Sequence, residues 1–404
     1  MINSGDTAWV LMSTALVILM TPALGFFYGG MVRKKNLLST IMLSVAILML
    51  ICIQWAFYGY TISFGTDHSG LIGGLNWLGL NGVGQAPYAP YAPTIPHLAF
   101  MIFQMAFAVI TPALITGAFV ERISFSGFLV FSLAWASIVY DPVCHWMWGI
   151  GGFLRNLGAL DFAGGSVVHM TAGFSALALA LVIGKRKGYG KVPMEPSNIP
   201  LTVLGAFLLW FGWYGFNGGS ALSAGGLATS AIVNTTLAGA AAGLVWMVIS
   251  WIHKRPSILG VSTGAIVGLA TITPASGYVS PMSSIIIGSI AAFISYYSII
   301  FRVKTGLDES LDVFACHGMG GMFGMFCVGL FAEKAVNQAG ANGLFFGNPG
   351  QLGAQAIAIV VVALFAFILS YIMGKVIDAI FILRARENEE DVGMDISQHG
   401  ETIY

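Results

Sequence analysis

Charge is what this chain lacks. Only 8% of its 404 residues are Asp, Glu, Lys or Arg, with equal numbers of acids and bases and a formal net charge of zero. So little charge excludes a water-soluble domain of this length, and no basic cluster of the kind a nucleic-acid partner needs is present. Cysteine is nearly as scarce. Cys52, Cys144, Cys316 and Cys327 show neither a CxxC pair nor disulfide-like spacing and read as small apolar fillers. No HExxH, GxSxG or comparable set is present. An intramembrane hydrolase or metalloenzyme is therefore disfavoured, and neither enzyme activity nor a metal or cofactor is expected. The opening MINSGDTAW carries no Lys or Arg, and Arg33, Lys34 and Lys35 follow the first apolar run instead of preceding it, so no cleaved signal is expected.

What is there is apolar: 57% hydrophobic residues and a mean hydropathy of +0.84. The pattern predicts an all-α polytopic membrane protein with eleven transmembrane helices. They run over 8–31, 38–62, 97–119, 124–143, 165–184, 199–218, 228–252, 257–276, 282–302, 311–333 and 353–379, each near the twenty residues a bilayer needs. With the N-terminus outside, fifteen of the seventeen Lys and Arg lie inside, leaving only Arg155 and Lys334 outside. That bias predicts N-out and C-in under the positive-inside rule. The 64–96 loop is then external and the acidic tail ARENEEDVGMDISQHGETIY internal. GxxxG steps at Gly25/Gly29, Gly260/Gly264, Gly264/Gly268 and Gly320/Gly324 suit close packing of helices in lipid.

Two histidines stand inside spans five and ten. His169 follows Asp161 by eight residues, and His317 follows Asp312 by five. An ionisable group at membrane depth points by default to a substrate or proton path. An odd set of five spans per repeat inverts the second set, giving two inverted five-helix repeats plus an eleventh helix with a site at the midplane. A lone histidine could equally be a hydrogen-bonding group between helices; a zinc or haem pair lacks a third ligand. Phe103 and Phe107 share a helix face, and Phe211, Trp213 and Phe216 crowd the outer half of span six. For Trp77, Trp146 and Trp148 an interfacial belt is an adequate reading.

Five stretches carry a likeness to a known family: DFAGGSVVHMTAGFSALALALVIGKR, WYGFNGGSA, DVFACHGMGG, FQMAFAVITPALITGAFVERISF and GAIVGLATITPASGY. Together they resemble the ammonium transporter family, Amt/Mep/Rh, in order through the whole membrane region. The resemblance implies an ammonium transporter or channel of the cell membrane. Trp148, Phe107 and Ser220 would form an external recruitment site, and Phe107 and Phe216 the ring pair closing the pore. His169 and His317 would line that pore, with Asp161 a buried acid near the outer site. Trp148 fits the Amt branch. The resemblance also implies a homotrimer, a conducting domain over 1–384 and a cytoplasmic regulatory tail over 385–404. That tail would rest on a neighbouring subunit, where Lys185, Arg186 and Lys187 could meet its acids, and would answer to a PII-type signal protein. Ser397 stands where some plant relatives carry a phosphorylated threonine.

Chemistry agrees with that implication. Aromatic faces attract a desolvated cation by about 2 kcal/mol, far short of the cost of burying a bare ion in an apolar tube. A buried lysine ammonium can fall from about pKa 10 to about 5–6, and ammonium in such a pore should likewise shed its proton. Neutral ammonia can then cross between imidazoles that accept hydrogen bonds or relay the proton. Potassium has no proton to shed. The runner-up is an ammonium sensor, which would be expected to carry an appended signalling domain or to act through a bound partner.

Overall fold

The computed structural model describes residues 1–403 and is dominated by eleven apolar helices. They are α1 (Ser4–Met31), α2 (Lys34–Phe64), α3 (His97–Ala118), α4 (Phe125–Asn156), α5 (Gly165–Ile183), α6 (Ile199–Gly218), α7 (Gly226–His253), α8 (Ile258–Ile272), α9 (Pro281–Thr305), α10 (Phe314–Phe331) and α11 (Pro349–Phe381). All but α8 are long and apolar enough to cross a membrane. Fifteen residues of α8 reach about 22 Å, and the rest of the expected eighth span is a run of turns. Backbone unwound at that depth must find its partners in protein. Here the Asn234 amide donates to the carbonyls of Ser276 (2.8 Å) and Val279 (2.7 Å).

Short polar residues start the helices where the sequence offers them. The Asn3 side chain accepts from the first amides of α1, Ser124 caps α4, Asn198 caps α6 and Ser257 caps α8. Gly306, at φ 73°, ends α9. The GxxxG glycines do meet neighbouring helices. Gly25 and Gly29 lie on Ser44 and Ile41 of α2, Gly264 and Gly268 on Trp246 and Ala242 of α7, and Gly320 and Gly324 on Thr271 of α8. Helices five apart also touch directly. A methyl on Gly205 of α6 would collide with Phe27 of α1, and one on Gly173 of α5 with Gly318 of α10.

Two ends of the bundle differ. The loop face carries two short hairpins, Asp67–His68 with Ile72–Gly73 and Pro87–Tyr88 with Ala92–Pro96. Trp77 and Trp146 belong to this packing, not to an interfacial belt. Trp77 stacks on Tyr60 (5.4 Å between centroids), and Trp146 donates to the Leu71 carbonyl at 2.8 Å. The tail face carries α12 (Glu387–Val392) and α13 (Met394–His399).

The tail packs against the start of α2 in its own chain. Asp395 accepts from the amides of Leu38 (3.1 Å) and Ser39 (2.7 Å), capping α2. Met394 donates its amide to Asn36, whose own amide donates to Glu121. Lys35 donates to the carbonyls of Glu390 and Asp391. Among Lys185, Arg186 and Lys187, the side chain that meets a tail acid is Lys187, on Asp391 at 2.6 Å. Arg186 is instead buried between Asp308 (2.7 Å) and Glu121 (2.6 Å). Burial alone would raise the Glu121 carboxyl, but the guanidiniums of Arg186 and Arg33 hold it below its usual range.

Candidate functional site

The histidine of α5 owes its place to the way the helix begins. Gly164 takes φ 119° and the Asp161 carboxylate turns back over the new helix end. It accepts from the amides of Gly164 (2.8 Å), Gly165 (2.7 Å), Ser166 (2.7 Å) and Val167 (3.3 Å), and from the Ser166 hydroxyl (2.6 Å). Amides that no helical carbonyl can reach are thereby satisfied. The first turn, Gly165–Met170, is π-helical, with the His169 amide on the Gly164 carbonyl at 3.0 Å. α10 begins in the same manner: Phe314–Gly318 is a π turn, and Glu309 accepts from the Phe314 amide at 2.7 Å. π turns cluster at functional positions, and here they carry both His169 and His317.

Glu309 is the acid that sequence reasoning missed. It precedes His317 by eight residues, the interval between Asp161 and His169. Asp312, which the sequence paired with His317, sits at φ 59° and binds Arg302 at 2.7 Å. The equal interval was the signal that could have found Glu309.

Where α5 and α10 cross, Gly321 lies against the Cβ of His169 and Gly173 against Gly318. That closeness brings the two Nδ1 atoms of His169 and His317 to 3.2 Å. His169 Nε2 is 3.3 Å from the Thr273 hydroxyl, at the unwound end of α8. Thr273 gives its one proton to the Leu269 carbonyl (2.8 Å) and accepts from Trp213 (2.9 Å), so towards His169 it accepts. Neutral rings satisfy this network when His169 carries its proton on Nε2 and His317 on Nδ1. The His317 Nε2 lone pair then remains available.

The aromatic residues form a column above this pair. His169 stacks on Phe216 (5.9 Å between centroids, 15°), Phe216 lies 4.4 Å from Phe107, and Phe107 meets Trp148 edge-on at 5.9 Å. Trp148 is fixed by donating Nε1 to the Asp161 carbonyl at 2.9 Å, while Arg155 holds its own carbonyl. The Ser220 hydroxyl donates to the Phe216 carbonyl at 2.8 Å, which leaves its lone pairs to a ligand. Trp213 is buried beside His169, but Phe211 is exposed on the outer surface and takes no part.

Three cavities lie along one line. At the loop face a space of about 660 Å³ is lined by Phe107, Trp148, Asp161 and Ser220, together with Gln104 and Tyr278. At the tail face a space of about 200 Å³ is lined by Phe27, Tyr28, Ser310, Asp312, Cys316 and His317. Between them, beyond the Phe107–Phe216 pair, lies a wholly apolar pocket of about 10 Å³ touching His169, His317, Trp213 and Phe216. That is room for one water-sized molecule. The sequence-predicted residues Trp148, Phe107, Ser220, Phe216, His169 and His317 are all on this line. Asp161 borders it, but spends both oxygens on the start of α5.

A multi-pass helical bundle with two vestibules and a molecule-wide apolar constriction between them is the layout of a membrane transporter for a small solute. The model of the Ammonium Transporter Family matches residues 8–404, and the chain belongs to that family. It is 50% identical to "Ammonium transporter Amt1" of Archaeoglobus fulgidus, covering 100% of both chains. It is 48% identical to the "Ammonium transporter" of Bacillus subtilis, covering 99% of this chain and 98% of that one. The crystal structure of Candida albicans Mep2 superimposes with a TM-score of 0.90 at 37% identity, covering 96% of this chain and 88% of that one.

Proposed function

We propose that the protein is an ammonium transporter in which the loop-face cavity recruits NH4+ and the apolar constriction passes NH3. The observation that carries this reading is the change of scale along the line, from about 660 Å³ to about 10 Å³ across the Phe107–Phe216 pair. A hydrated cation fits the first space and not the second. Trp148 and Phe107 offer ring faces, and Ser220 an acceptor. Entry past the rings strips the ion of water, and deprotonation costs less than carrying bare charge through apolar walls. In the constriction the His317 Nε2 lone pair can accept from ammonia, and the imidazole pair can pass a proton through its Nδ1–Nδ1 contact. Asp161 supports recruitment by holding α5 and Trp148.

Eleven crossings, with the loop face outside and the tail face cytoplasmic, follow from the Lys and Arg bias and from the turns that extend α8. The direct contacts of α1 with α6 and of α5 with α10 favour inverted repeats. On this reading residues 1–384 conduct, and 385–404 form a regulatory tail that a PII-type protein engages on a homotrimer. The sensor reading is not favoured at 48–50% identity to proteins named transporters. Purified protein in liposomes should accelerate ammonium uptake and not potassium uptake, and His169→Ala with His317→Ala should abolish the difference. Equal selectivity with both rings removed would end the proposal.

A further inference from the structure

We infer that Arg155 is a specificity-setting residue: its fixed positive charge balances the Asp161 carboxylate and leaves the loop-side cavity electrically neutral. Capture then depends on ring faces and hydrogen-bond acceptors, which suit ammonium, and not on net charge, which draws in every cation. This rests on the reading above that the cavity recruits NH4+.

The chain places very little positive charge on this face. Of seventeen Lys and Arg, only Arg155 and Lys334 fall there, in keeping with the positive-inside bias. One of the two is nevertheless built into the cavity meant for a cation. Among the described residues lining that cavity, Arg155 is the one cation and Asp161 the one acid. The five hydrogen bonds of Asp161 occupy its lone pairs but leave it charged. Arg155 sits on the short turn Phe153–Asn156 that follows Trp148, and its Nη1 donates back to the Trp148 carbonyl. Gly151, at φ 97°, lies in the reversal between them. The guanidinium is thus held to the main chain of the residue whose ring forms the recruiting face.

Both charges reach across the cavity. Burial raises the hydroxyls of Tyr91, on the hairpin wall, and of Tyr278, between α8 and α9. Asp161 adds to the rise at Tyr278, and Arg155 opposes it at both. An uncompensated carboxylate would concentrate every cation here, a divalent one most, because the attraction scales with charge. Ring faces and acceptors favour an ion that gives up its water and has N–H bonds to donate. With the net field cancelled, that second preference decides which ion occupies the cavity. Ions with no proton to shed are kept from collecting in front of the Phe107–Phe216 pair.

Arg155→Gln tests this, because the amide keeps an N–H for the Trp148 carbonyl and removes the charge. Uptake of radiolabelled methylammonium would be measured with purified protein in liposomes, at about 10 mM and about 1 M sodium chloride, where the Debye length is about 30 and about 3 Å. At low salt the half-saturating methylammonium concentration of the variant should fall about fivefold, the upper end for one exposed charge. The half-inhibiting concentration should fall by the same factor for potassium and by about its square, about twenty-five-fold, for magnesium. At high salt the variant and wild type should coincide, and Arg155→Lys should follow wild type at both. Weaker methylammonium capture by Arg155→Gln at both salt concentrations would make Arg155 a prop for Trp148 alone and overturn the proposal. Unchanged competition by potassium and magnesium would overturn it as well. Failure of the underlying reading shows elsewhere, as unaltered methylammonium competition in Trp148→Leu.

Discussion

The two vestibules are unlike each other, although the helix that begins near each carries a histidine on a π turn. The loop-side cavity is wide and aromatic, and the acid beside it is locked into five hydrogen bonds. The tail-side cavity is about a third as large, and the acid that lines it, Asp312, is paired with Arg302 at 2.7 Å. On the proposed function, the loop side is the one that holds a cation on ring faces. Fixed charge is kept out of the stretch between them. The His169–His317 pair can therefore stay neutral, each ring offering one donor and one acceptor.

Four measurements would break or sharpen that contrast. Replacing either His169 or His317 by Ala should have the largest effect, a fall in transport or in ammonium-over-potassium selectivity of about a hundredfold, the low end for lost proton-transfer groups. Normal flux and selectivity in both would remove the histidines from the path. Trp148→Leu should weaken methylammonium competition about tenfold by deleting a ring face. If competition is unaltered, the loop-side cavity is not a recruitment site. Asp161→Ala should cost about 1–2 kcal/mol of stability through the lost cap, seen as a lower melting temperature with an unshifted pH profile. A shifted profile would make Asp161 a proton carrier instead of a cap. Smallest should be Lys187→Ala. Its partner Asp391 is exposed, so the tail should stay docked through Asp395, as protection of the 394–399 segment from protease would report.

Most of this was legible in the sequence because lipid leaves few choices. Ten of the eleven expected spans are helices of crossing length, and the GxxxG steps fall at real crossings. Residues that choose a local structure were harder to read. Pro274 and Gly277 in TITPASGY signal a helix break, but not that the break places Thr273 beside His169. Likewise, Asp312 looked like the partner of His317 because it is nearer in sequence, whereas a cap is set by where its helix starts. The tail's acids and the Lys185–Lys187 cluster suggested one attraction, but Arg186 was already committed to Glu121 and Asp308. Sequence shows which charges exist; only the fold shows which are spent.

The π turns carry a consequence for the way such a transporter can change. A π turn holds one residue more than the α turn it replaces, and one residue is about 100° of rotation on an ordinary helix. Removing a single residue from Gly165–Met170 or Phe314–Gly318 would let the remainder of that helix keep its phase against its neighbours. The histidine would nonetheless swing away from its twin. Each turn thus works as a phase shifter, separating the aim of one ring from the packing of a whole transmembrane helix. Variants that lose one residue there should fold and insert normally while conducting nothing.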